Sequence, residues 1–270
     1  MNEEIKKSFP TEWLDSRTKL YMCLTDDVDS LFSCLLLEKI KGYEISHFYS
    51  FSKLYRGNQF KGNIKLVGVD MDLNVGRCWG NHPTLNNNKN SANLNVIKGI
   101  NQNNYFHKYA GSTLLEIISY YDVDISMLNE EALMVLLAVD TTFKQYAFNP
   151  ALSKYYLVDV LELPQLYDLC KDHKQKEFYD LIDKYKLYKK IIMNEDNILK
   201  TSIDLNGLSE LFNMSFILPK SEFRCTHTYI DKGLNLSAFN RFKADLEANG
   251  GEIFTQALTN RSFIKFSYQK

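Results

Sequence analysis

The chain has 270 residues, 45% of them hydrophobic and 24% charged, with a formal net charge of −1. That length allows a sizeable core and two domains, and the charge excludes a uniformly basic nucleic-acid binder while leaving room for a local basic groove. Five scattered cysteines (Cys23, Cys34, Cys78, Cys170, Cys225) without C-x-x-C spacing argue against a disulfide scaffold or a zinc–thiolate site and fit reduced thiols in a cytoplasmic protein.

The opening "MNEEIKKSFPTEW" is too polar for a signal peptide, and no segment approaches a membrane span, so no membrane partner is expected. Short apolar runs predict strands over 19–24, 44–51 ("EISHFYSF") and 64–69 ("IKLVGV"), with helices over 30–41, 105–120 and 130–140. This alternation points to an α/β fold with a parallel sheet flanked by helices. The Asn-rich stretch 83–104 reads as a long surface loop with room for a short helix, a passive insertion. Residues 151–197 carry apolar positions at three and four spacing and read as a helical connector. Beyond them "MSFILP" and "FRCTHTYI" read as strands, "NLSAFNRFKADLEANGG" as a helix closed by Gly250 and Gly251, and "EIFTQAL" with "SFIKFSYQ" as a hairpin. The expected domains are 1–150, a connector 151–196, and a smaller α/β domain 197–270.

The stretch "LTDDVDSLFSC" puts Asp26, Asp27 and Asp29 where a strand gives way to a helix. Two carboxylates about 6 Å apart repel by roughly 3 kcal/mol at an effective dielectric near 20. One acid caps a helix start, and Asp29 or Ser30 is the expected cap; the others ask for a counter-charge. Similar placements recur: "IKLVGV" ends in Asp70 with Asp72 close behind, "GRCWGNHPT" presents His82 in a turn, and "ALMVLLAV" ends in Asp140. Asp27, Asp29, Asp70, His82 and Asp140, with Asp26 and Asp72 as further acids, form an oxygen-rich, histidine-poor set that suits Mn²⁺ or Mg²⁺ better than zinc. Two such ions would activate water and clamp a phosphoryl oxygen.

"TDDVDSLFSCLLL", "VGVD", "GNHPT", "KYAGSTLLEI" and "LLAVDTTF" resemble, in that order, the motifs of the DHH phosphoesterase superfamily. That group includes RecJ-type single-strand exonucleases, oligonucleotide and cyclic-dinucleotide phosphodiesterases, and family II inorganic pyrophosphatases. The resemblance spans about half the chain. It implies that Asp27 and Asp29 each bind a metal, that Asp70 bridges, that His82 is the last residue of the Asp-His-His triplet, and that Asp140 is the fourth-motif acid. The triplet here is Gly80-Asn81-His82. Thr25 or Cys23 replaces the leading histidine or aspartate, with the extra acid Asp26 beside it, and "ANGGEIF" has the glycines of the family's C-terminal motif without its histidine.

The expected function is metal-dependent hydrolysis of a phosphodiester in a single-stranded or short oligonucleotide, or in a cyclic dinucleotide. Asn81 and His82 are the expected catalytic groups, and Arg77, Lys108, Arg224, His227 and Arg261 the substrate contacts, within a wider basic set that adds Lys220, Arg241 and Lys265. "FRCTHTY" interleaves aromatic and polar residues in a pattern compatible with base stacking. His47 is expected to be a satisfied, partly buried histidine. The alternative function is a catalytically weak or inactive relative that binds a nucleotide, a nucleic acid or a protein partner. A homodimer stays open.

Overall fold

The computed structural model describes Met1–Lys270. In chain order the elements are α1 (Glu3–Lys6), α2 (Thr11–Leu14), β1 (Tyr21–Leu24), α3 (Val28–Lys41), β2 (Glu44–Tyr49), β3 (Lys53–Gly57), β4 (Leu66–Val69), β5 (Cys78–Trp79), β6 (Ser91–Ala92) and α4 (Leu94–Ile97). Next come α5 (Thr113–Tyr120), α6 (Glu130–Ala138), α7 (Lys144–Phe148), α8 (Pro150–Lys154), α9 (Pro164–Asp172), α10 (Gln175–Lys184), β7 (Ile191–Met193), β8 (Leu199–Thr201) and α11 (Leu205–Phe212). The chain closes with β9 (Phe223–Thr228), β10 (Ile230–Asn235), α12 (Leu236–Ala248), β11 (Glu252–Asn260) and β12 (Phe263–Gln269).

The chain forms two compact units, each assembled from three segments. A helical unit comprises Met1–Ser8, Asp26–Gly42 and Ala110–Lys220; a sheet unit comprises Phe9–Thr25, Tyr43–Tyr109 and Ser221–Lys270. The fold is α/β, with one mostly parallel seven-stranded sheet, smaller antiparallel sheets and helices.

In the sheet unit the large sheet has the order β6-β5-β4-β1-β2-β3-β9. β6, β5, β4, β1 and β2 run parallel to their neighbours, while β3 and β9 run antiparallel at one edge. The apolar runs foreseen over 19–24, 44–51 and 64–69 supply β1, β2 and β4, whose nearly continuous burial matches strands covered on both faces. β9 is joined to this sheet through β3, Arg56 standing opposite Arg224. β10, β12 and β11 make an antiparallel sheet on which α12 packs through Phe239 and Leu246, against Ile264, Phe266 and Tyr268.

In the helical unit α3 is buried on every face from Val28 to Leu37 and ends in a left-handed Gly42 (φ 66°), the conformation glycine adopts without a Cβ penalty. α5 is buried along its whole length and capped by Ser112. Phe143 stacks on Phe178 with centroids 4.6 Å apart, and Phe32 of α3 meets Phe212 and Phe216 edge-on.

Several expectations change. The helix foreseen over 105–120 is a 3-10 turn at Tyr105–His107 followed, after a break, by α5. The break is fixed by Asn95, whose side chain bonds both the N–H and the C=O of Tyr109. "MSFILP" forms no strand: Phe216 is buried against Phe32, and its N–H is taken by Ser209 Oγ. The helical pattern expected through 197 gives way to the β7–β8 ribbon. The Asn-rich stretch is no passive insertion. It contributes β6 and α4, and Asn88, Asn93 and Asn95 are buried with their amides bonded to backbone or side chains.

His47, in β2, is buried beside Ser46, its Nδ1 2.8 Å from the Ser46 hydroxyl. Burial, then the charges of Arg56 and His227, push its pKa down to about 4 from 6.5. The unfolded chain binds the proton first, so this group costs the fold on the order of 3 kcal/mol as pH falls from 6.5 to 4. Urea unfolding at stepped pH is expected to show wild type losing stability across that window relative to His47→Gln. Parallel curves for the two proteins would contradict this.

Candidate functional site

Asp27, not Asp29 or Ser30, caps α3, its Oδ1 accepting the Ser30 N–H at 3.2 Å. This frees Asp29 to sit in the first turn, where it is 3% exposed. Its Oδ2 accepts the N–H of Thr113 at 2.8 Å, and its Oδ1 accepts those of Leu114 (2.9 Å) and the Ser33 hydroxyl (3.3 Å). The buried acid of α3 therefore receives the first turn of α5, where unpaired N–H groups and the helix dipole favour a negative charge. Burial nevertheless pushes Asp29 well above the usual carboxylate range. The Asp140 and Asp27 carboxylates add to that, against the pull of the Leu114 and Thr113 amides.

Asp140 follows a helix, not a strand: α6 ends at Ala138, and Asp140 and Thr141 are consecutive non-glycine residues at positive φ (48° and 55°). Each such residue stores on the order of 1–3 kcal/mol, and strain of this kind clusters at functional sites. Thr142 secures the turn, its hydroxyl donating to the Val139 carbonyl and accepting the Ser112 N–H. Asp27, Asp29, Asp140 and Lys190, with Tyr188 and Leu187, line an open cleft.

Lys190 was not singled out by sequence, and it brings positive charge to the opening acids. Its ammonium lies 2.9 Å from Asp26 Oδ1 and 3.4 Å from Asp27 Oδ2. The backbone makes the placement, because Ile191 N–H donates to the Asp26 carbonyl at 2.6 Å. Burial holds Asp26 above its ordinary value despite this partner. Burial works against the Lys190 charge too, but Asp27 and Asp26 outweigh it and keep the ammonium above its usual pKa.

The sheet unit contains the other expected residues. Asp70 follows β4 in a left-handed conformation (φ 58°). Asp72 is buried, with Oδ2 2.9 Å from His82 Nδ1 and Oδ1 accepting from Asn93 Nδ2 at 2.9 Å. The same Asn93 amide donates to the His82 carbonyl, while Asn95 Nδ2 donates to that of Asn81 at 2.6 Å. Position 80 has no room for a side chain. A Cβ there would meet Asp72 Oδ1 at 2.3 Å and the Met71 carbonyl at 2.9 Å, so the Asp72 carboxylate occupies the space a side chain at position 80 would need.

The expected substrate cations do not form one group. Arg224 and His227 share β9. Arg261, in the β11–β12 turn, donates to the Gln102 carbonyl; Lys108 lies over the Tyr105 ring at 5.1 Å; Arg77 lies close enough to Tyr43 for its charge to oppose the rise that burial imposes on that phenol. Asn93 and Asn95 were missed because their signal, an Asn run, is also the signature of an exposed loop. No group of three or more His, Cys, Asp or Glu side chains is gathered in a metal-ligating arrangement.

Comparison with protein-family models, curated proteins and solved structures finds no match. The chemistry of the cleft is therefore argued from its own residues. Asp27, Asp29 and Asp140 offer only hard carboxylate oxygens, and Asp29 carries a surplus of negative neighbours, which fits a hard divalent cation.

If Asp72 fills the space at Gly80, Gly80→Ala is expected to destabilise by about 1–3 kcal/mol through overpacking. Asp72→Ala would also cost stability by stripping His82 and Asn93 of their acceptor. The double variant should be more stable than the sum of the two by at least ~0.5 kcal/mol in equilibrium unfolding. Strict additivity would show that the two positions do not share the space.

Proposed function

We propose that this protein is a divalent-cation-dependent phosphoesterase that hydrolyses a phosphodiester in a nucleotide substrate, a DHH-type hydrolase with an altered triplet. The observation that supports the reading is the cleft lined by Asp27, Asp29 and Asp140 beside a strained turn, where the Asp140 and Asp27 charges add to burial in raising the Asp29 pKa. Mn²⁺ or Mg²⁺ held there would polarise a phosphoryl group and make water a stronger acid. The chain's own part is to place the charges. The α5 N-terminus fixes Asp29, the left-handed turn aims Asp140, and Lys190, at the same cleft, offers an ammonium to a phosphoryl oxygen. The resemblance assigns Asp70 and His82 to the same chemistry.

One observation favours the second reading, a binding protein without turnover. Lys190 and the α5 amides already satisfy oxygens of Asp26, Asp27 and Asp29.

Purified protein with Mn²⁺ or Mg²⁺ is expected to hydrolyse at least one of short single-stranded oligonucleotides, cyclic dinucleotides, 3′,5′-bisphosphonucleotide and pyrophosphate. Asp27→Asn and Asp140→Asn, checked for folding by thermal melts, should each lower kcat by more than roughly 100-fold, since even residues that only support metal ligands are worth 10–100-fold. Asp70→Asn and His82→Gln are run alongside. Lys190→Gln should act mainly on KM. Absence of hydrolysis across the panel, with no calorimetric metal binding, would leave the binding reading.

A further inference from the structure

The sheet unit carries a second charged arrangement, of the opposite sign. In the large sheet Cys23, His47, Arg56 and Arg224 stand opposite one another across β1, β2, β3 and β9, so their side chains share one face. Like charges directly opposite on neighbouring strands destabilise a sheet. Yet neither Arg56 nor Arg224 has a carboxylate within ion-pair reach, and His227 adds its influence to that of Arg56 on His47. The nearest acid along β9, Glu222, is engaged by Asn58. Arg56 is held by one bond from Nη2 to the Gly62 carbonyl at 2.7 Å, and its Nε has no acceptor.

Aromatic rings continue the same region. Tyr229 stacks on Phe254 with centroids 4.3 Å apart and planes within 9°. The exposed His227 ring lies nearly parallel to Tyr229, 6.3 Å away and tilted by 22°. Tyr49 closes the inner side edge-on to Tyr229 and Phe254. β9 is the edge strand, and every residue of it after Phe223 is exposed.

We propose that this face binds single-stranded nucleic acid, with backbone phosphate against Arg56 and Arg224 and an unstacked base against His227 and Tyr229. A duplex presents no free base face to such a platform, whereas a single strand offers both a phosphate and a π-surface at each nucleotide. The inference deepens the proposed function and rests on it only for the choice of an oligonucleotide as ligand.

The test is fluorescence anisotropy of a labelled dT12 strand on the full chain in EDTA, where cation-dependent turnover is silent. Wild type is expected to bind, with duplex of the same length at least tenfold weaker. Arg224→Gln should weaken binding and reduce the salt slope of log K by about 0.7, one single-strand phosphate. His227→Ala should weaken it at least fivefold through lost stacking, and Arg224→Glu should abolish it. Both positions are exposed, and unchanged melting temperatures would confirm folding. Lys154→Gln, in the helical unit, should leave binding unchanged. Equal affinity for duplex, or wild-type affinity in Arg224→Glu, would overturn the proposal, as would no binding by wild type. Binding in EDTA by a protein that hydrolyses nothing would keep this face and remove the phosphoesterase. Hydrolysis of 3′,5′-bisphosphonucleotide with no dT12 binding would do the reverse.

Discussion

A carboxylate taken out of water has to be met by donors, and much of the helical unit follows from how Asp29 meets that constraint. Its two oxygens take two backbone N–H groups of α5 and one hydroxyl of α3, which ties the two buried helices together at their first turns. The cap of α3 then falls to Asp27, and Asp140 is brought in on a turn whose backbone is strained at two successive residues. Asp29 thus ties α3 to α5, and Asp27 and Asp140 line the same cleft. A cleft of negative charge is what remains.

Lys190 shows how the chain manages the surplus on one side. The β7 strand is fastened to the Asp26 carbonyl, so the ammonium of the preceding residue sits over Asp26 and Asp27. Asp29 is bonded by the α5 amides and the Ser33 hydroxyl instead, and burial holds its carboxyl well above the usual range. The sheet unit shows the inverse case: Arg56 and Arg224 are opposed across two strands without a carboxylate between them. In both units backbone geometry holds like charges near one another, which costs free energy where no counter-charge of the chain reaches them.

The region around Gly80 shows a glycine making room for a buried charge. At Gly80 the absence of a side chain leaves room for the carboxylate of Asp72, which is bonded to His82 and Asn93.

Much was legible in the sequence where a local rule decides the outcome. Apolar runs marked β1, β2 and β4, Gly250 and Gly251 marked the close of α12, and "EIFTQAL" with "SFIKFSYQ" marked the final hairpin, since side-chain period and backbone freedom are properties of a few consecutive residues. The acids of "TDDVD" were visible as an electrostatic problem for the same reason. What answers them was not visible: Lys190 lies more than 160 residues away from Asp26 and Asp27, and the α5 amides that hold Asp29 belong to backbone, which every residue type carries. Asn93 and Asn95 looked like loop residues until the loop folded over Asp72, Asn81 and Tyr109. Nor does anything local in "FRCTHT" say that β9 pairs with β3 and sets Arg224 opposite Arg56. The sequence by itself determined the segments whose pattern is local, among them β1, β2, β4 and α3, and where charge is concentrated. Tertiary structure alone decided which charges meet, because that depends on contacts between residues far apart in the chain.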